Sequence, residues 1–148
     1  MDTKNIMLKI TGKQFASGDE DRIEFITAGT ISTEGKTAYI SYEETPISGM
    51  EGCTTNLTVS NGKVTMSRTG DSLDETVMEF EKGRRYRGLY ATPYGNIAME
   101  LLTNDVKGDI LSLLEEKTGS LSIDYDISLK GIAQSRNTLD IEILGEVQ

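Results

Sequence analysis

Apolar and polar residues alternate with period two along most of this chain. Ile6, Leu8 and Ile10 alternate with Met7, Lys9 and Thr11, which predicts a strand with one buried face. The polar stretch Gly18–Asp21 reads as a turn. Ile23, Phe25, Thr27, Gly29 and Ile31 then define a long second strand, and its interior glycine marks a bend at a barrel corner. Glu34-Gly35 closes a hairpin into Thr37–Glu44 (TAYISYEE), and Ile47–Gly52 is a loop. Thr54–Ser60 is joined to Lys63–Arg68 through Asn61-Gly62, a dipeptide suited to the positive φ of a type I′ turn. Thr76–Phe80, Arg84–Ala91 and Asn96–Leu102 follow, separated by Lys82-Gly83 and Pro93-Tyr94-Gly95. Two strands close the chain, Leu121–Ile127 and Leu139–Ile143, with Gly131 between them.

One segment reads two ways. Val106, Ile110, Leu113 and Leu114 form a helical stripe, with Asn104 or Asp105 as N-cap and Gly119 beyond its end. The same residues also fit a strand, Val106–Leu111, turning through Glu115-Glu116-Lys117. About ten strands joined by short turns leave unprotected edges in an open sheet. Closing the sheet into an antiparallel, largely up-and-down barrel of about 8–10 strands removes those edges. A two-sheet sandwich is the alternative.

Composition narrows the function. At 148 residues the chain fits one domain, residues 1–148, with enough core to need neither metal nor disulfide. A net charge of −9 disfavours nucleic acid and anionic bilayers as partners. Histidine is absent, which removes the commonest general base and metal ligand, and Cys53 is the sole cysteine. No cofactor or metal site is expected. There is no apolar leader and no stretch of about 20 apolar residues, so the expected location is cytoplasmic, away from membranes.

Several segments together carry a family resemblance: ISYEE at Ile40–Glu44, TTNLTV at Thr54–Val59, MSRTG at Met66–Gly70, ATPYG at Ala91–Gly95 and LSIDYDISLKG at Leu121–Gly131. In this order and spacing they resemble the YwiB-like bacterial proteins, a family named for a domain of unknown function. The resemblance implies a calycin-like barrel, similar in architecture to lipocalins and fatty-acid-binding proteins. It also implies a strand at Val106–Leu111. It brings no catalytic residues with it.

A barrel of about eight strands holds side chains or one small ligand, so inward polar residues matter most. Arg68 shares the parity of Val64 and Met66 and should point inward. It is a candidate anchor for a carboxylate or phosphate; the structural alternative is an ion pair with a carboxylate such as Glu43. Arg84, Arg85 and Arg87 form one basic cluster, readable as an anion guide or as a solvated outer face. Tyr42, Tyr94 and Tyr125 each lie in a resemblance motif and are candidates for a pocket mouth or for the core. Asp124 and Asp126 should point outward, and Glu43 and Glu44 to opposite faces. The candidate ligand residues are therefore Arg68, Tyr42, Glu43, Arg85, Arg87, Tyr94 and Tyr125. The leading expectation is a non-catalytic barrel binding a small amphipathic or anionic ligand. A protein-interaction barrel, monomeric or homodimeric, and a carboxylate-based enzyme are the rivals.

Overall fold

Each alternating run becomes a strand in the computed structural model, which describes residues 3–48, 52–60, 62–70, 73–108, 119–130 and 133–147. The strands are β1 (Thr3–Ala16), β2 (Asp19–Glu34), β3 (Thr37–Glu43), β4 (Cys53–Ser60), β5 (Lys63–Gly70), β6 (Leu73–Glu81), β7 (Arg85–Thr92), β8 (Gly95–Lys107), β9 (Gly119–Leu129) and β10 (Ala133–Glu146). A short 3-10 turn, Pro46–Ser48, follows β3. The first turn is tighter than the polar composition of Gly18–Asp21 suggests. Ser17 and Gly18 alone turn the chain, with φ of 52° and 82°, and Asp19 already pairs with Ala16. Two residues at positive φ suit the right-handed twist of the flanking strands, and the acidic run is an exposed strand end.

All ten strands lie in one antiparallel sheet, in the order β6-β5-β4-β3-β2-β1-β10-β9-β8-β7. Every neighbour is a chain neighbour except β1 and β10, whose ladder runs from Ile6↔Glu146 to Phe15↔Arg136. Pairing the terminal strands bends the meander into a nearly closed barrel. The seam lies between β6 and β7, where no ladder forms among the described residues. The Ala91 N–H donates to Thr76 Oγ1 across it at 3.0 Å. Below that point Gly83 and Arg84 turn away to exchange backbone hydrogen bonds with Thr103 of β8, so the turn serves the next strand rather than the seam.

Gly29 is where β2 changes partners. β2 pairs with β1 from Asp19 to Ser32, but with β3 only from Gly29 to Glu34. A Cβ at position 29 would lie 2.5 Å from the Ser41 carbonyl oxygen and 2.8 Å from Leu8 Cδ1. The glycine is needed for close backbone approach at this corner.

β8 continues through Asn104 and Asp105 to Lys107, so the residues fitted to a helix cap are strand residues, and Gly119 opens β9. Cross-strand pairing with β9, through Asp105↔Asp124 and Val106↔Ile123, makes strand residues of the proposed cap and of Val106, the first position of the helical stripe. Positions Ile110 to Lys117, with Asn61 and Gly131, lie outside the described residues. Among the described residues no helix is long and apolar enough to cross a membrane.

The interior is divided. Leu8, Ile40, Leu57, Val64, Phe80, Leu101, Leu121, Ile123 and Ile141 are fully buried and fill the end that holds the chain termini. The other end, toward the β1–β2 and β7–β8 turns, is not filled by the described residues.

Candidate functional site

Ladder register builds a polar row across the inner wall. Tyr42 pairs with Thr55, Thr55 with Arg68, and Arg68 with Thr76. Each continues the inward parity of its strand, and the adjacent row is apolar: Ile40, Leu57, Met66 and Met78. An irregularity in the β5–β6 register falls directly after Arg68; such irregularities re-aim side chains.

The row carries a charged pair. Glu44, one residue past β3, has a side chain only 3% exposed, and its Oε1 lies 3.5 Å from Arg68 Nη2. Thr55 links the two. Its hydroxyl donates to Glu44 Oε1 at 2.7 Å and accepts from Arg68 Nε at 3.3 Å. Arg68 Nη2 also lies 3.8 Å from the Met66 sulfur. A buried charge requires a partner of this kind, and the backbone fixes Glu44 through its N–H to the Cys53 carbonyl at 2.9 Å.

Beside the pair lies a cavity of about 360 Å³. Its apolar walls include Phe25, Met66, Met78, Ile127, Leu129 and Leu139, and its polar lining includes Arg68, Glu44, Tyr42, Tyr90 and Tyr125. Tyr42 is buried. Burial and the Glu44 carboxylate raise its phenol well above the ordinary value, with Arg68 opposing. Enclosure pushes Tyr125 up to about 12, with Arg68 opposing and Tyr90 reinforcing. Tyr125 also stacks at a tilt on Phe80, with ring centroids 4.9 Å apart. Both phenols are therefore neutral hydrogen-bonding groups at physiological pH.

Of the residues singled out from the sequence, Arg68, Tyr42 and Tyr125 meet at the cavity. Glu43, Arg85, Arg87 and Tyr94 lie elsewhere. Glu43 is exposed on the outer face; the carboxylate that pairs with Arg68 is its neighbour Glu44. The parity of Ala38, Ile40 and Tyr42, extended by one step, points to Glu44. Arg85 and Arg87 are exposed outside the barrel against Glu100, at 3.0 and 4.0 Å, because β7 turns Tyr86, Gly88 and Tyr90 inward instead. Tyr94 is 99% exposed at the tip of the β7–β8 turn, where Pro93 and Gly95 serve the backbone. Asp124 is on the outer wall, held by Arg136 at 2.7 and 3.1 Å and by Asn104 at 3.2 Å; these contacts lower its carboxyl pKa, Arg136 most. Cys53 is buried against Gly70. Thr55 and Tyr90 also reach the site; alternation marks both as inward, Thr55 with Leu57 and Tyr90 with Tyr86. Among the described residues no three of His, Cys, Asp or Glu cluster as metal ligands.

The crystal structure of the ywiB protein from Bacillus subtilis is similar over 98% of this chain and 94% of that one, with a TM-score of 0.80 and 23% identity. That likeness supports the barrel fold. No curated protein matches the chain. The family model described as a domain of unknown function, DUF1934, matches residues 8–141. The chain therefore belongs to the DUF1934 family.

Proposed function

We propose that this protein is a cytoplasmic, calycin-like binding barrel. It holds one small amphipathic or anionic ligand in its cavity and performs no catalysis. The polar head contacts Arg68, and the apolar body lies against Phe25, Met66, Met78 and Leu139. The observation that carries this reading is the hollow itself. Protein interiors are close-packed, yet here about 360 Å³ stands open beside a guanidinium whose contacts among the described residues are all 3.3 Å or longer. A dry cavity of about 150 Å³ accepts benzene, so this one suits a molecule of roughly a dozen non-hydrogen atoms. Cavities with apolar walls and a few convergent polar groups are the usual form of small-molecule sites. A lone cysteine, Cys53, is compatible with a reducing compartment.

The test is a thermal-shift and native mass spectrometry screen of small amphiphiles, repeated on Leu139→Trp, which fills the cavity. Saturable one-to-one binding that disappears in Leu139→Trp, with unchanged far-UV circular dichroism, is the expected result. The cavity is not the site if nothing in the screen binds saturably, or if binding persists in the filled variant.

A further inference from the structure

The charges at the cavity narrow the ligand. Among the described residues four charged side chains line it: Lys13, Asp21, Glu44 and Arg68. Two are cations and two are anions, so the described lining is balanced in charge, inside a molecule whose net charge is −9. The innermost cation is already matched by the Glu44 carboxylate at 3.5 Å.

The contacts of that pair are one-sided. Thr55 and Arg68 both engage Oε1 of Glu44, and Arg68 uses Nε and Nη2. Glu44 Oε2 and Arg68 Nη1 are each without a hydrogen-bond partner among the described residues. The cavity therefore has an acceptor and a set of N–H donors side by side, and both residues line it. Tyr42 and Tyr125 flank them as neutral phenols.

An anionic head at Arg68 would place a second negative charge next to Glu44, where burial leaves little solvent to screen it. An ammonium head at Glu44 would meet the same difficulty with Arg68. A head that is neutral overall and offers a donor and an acceptor together satisfies both unused faces at no cost in charge. Resting on the binding reading above, we infer that the cavity selects an amphiphile with a net-neutral donor–acceptor head, of the carboxamide type, over the carboxylate of the same shape. The Arg68–Glu44 pair is the selecting element.

Three probes of nearly equal size separate the possibilities: 4-phenylbutanamide, 4-phenylbutyrate and 4-phenylbutylamine. Their affinities are measured by ligand-observed NMR and calorimetry at pH 7. The amide is expected to bind about tenfold or more tightly than either ion, since like charges set together at an interface are strongly disfavoured. In Glu44→Gln, which leaves Arg68 uncompensated, the order should invert, with phenylbutyrate gaining about tenfold or more. Wild-type discrimination needs no variant, so poor folding of Glu44→Gln leaves the test intact. If phenylbutyrate binds wild type as tightly as the amide or more tightly, the inference fails while the cavity remains a binding site. If none of the three binds and the wider amphiphile screen is also empty, the binding reading falls, and the inference with it.

Discussion

Replacing Arg68 with Met removes one half of a buried pair and keeps most of the side-chain volume. At 3.5 Å and an effective dielectric constant of about 20, the attraction is roughly 5 kcal/mol, and most of it offsets desolvation of the two groups. What decides the outcome is the carboxylate left behind. The Glu44 side chain is 3% exposed and, among the described residues, would retain only the Thr55 hydroxyl. Stranding a buried charge costs about 3–5 kcal/mol. The Arg68 side chain is itself 17% exposed, which admits some solvent and places the expected loss near 3 kcal/mol. For a chain of this length that is a fall in Tm of about 10 °C. Adding Glu44→Gln removes the stranded charge but keeps an acceptor for Thr55, so the double variant should recover to within about 1 kcal/mol of wild type. The assay is equilibrium urea unfolding followed by circular dichroism and tyrosine emission, since the chain has six tyrosines and no tryptophan. Midpoints should move at constant m. Additive losses in the double variant, or a single-variant loss below about 0.5 kcal/mol, would refute the account of a desolvated pair.

Gly29→Ala places a methyl 2.5 Å from the Ser41 carbonyl oxygen; a loss of about 2 kcal/mol is expected by thermal or urea unfolding, and an unchanged Tm would show that the corner does not depend on close approach. Thr76→Val deletes the hydroxyl that accepts the Ala91 N–H across the seam. It should cost about 1 kcal/mol and speed hydrogen exchange at Ala91, measured by NMR, with little effect on the β1–β10 ladder. Tyr125 titrates from an ordinary value of 10.0 up to about 12, so the native state holds its proton more tightly than the unfolded chain does. Its contribution to stability is complete below pH 10 and disappears as the pH rises through about 12. Spectrophotometric titration of the native protein should show Tyr42 and Tyr125 among the last phenols to ionise, and Tyr125→Phe should flatten the alkaline loss of stability.

The inner face of each strand was legible in the sequence because a strand's period of two is a local property. Ile6-Leu8-Ile10, Val64-Met66-Arg68 and Ile123-Tyr125 name their own inward residues, so Arg68 and Tyr125 follow from parity, while Tyr42 stands out through the resemblance motif that contains it. Edge protection argued for a barrel before any pairing was known. Other features depended on contacts between distant segments. Glu44 rather than Glu43 faces Arg68 because β3 keeps its parity for one residue beyond the ladder, where Cys53 holds its backbone. The basic cluster at Arg85 and Arg87 lies outside because β7 turns Tyr86 and Tyr90 inward. Asp105 and Val106 are strand residues because β9 pairs with them, and Asn104 is the extra residue where that register shifts, although the local sequence offers it as a helix cap. The hollow is the most tertiary feature. Alternation says which side chains point inward, but whether they meet depends on the register, the curvature at Gly29 and the spacing around the whole ring. The sequence determined the inner wall of this barrel; only closure of the ring decided that one end packs solid and the other leaves a cavity at Arg68.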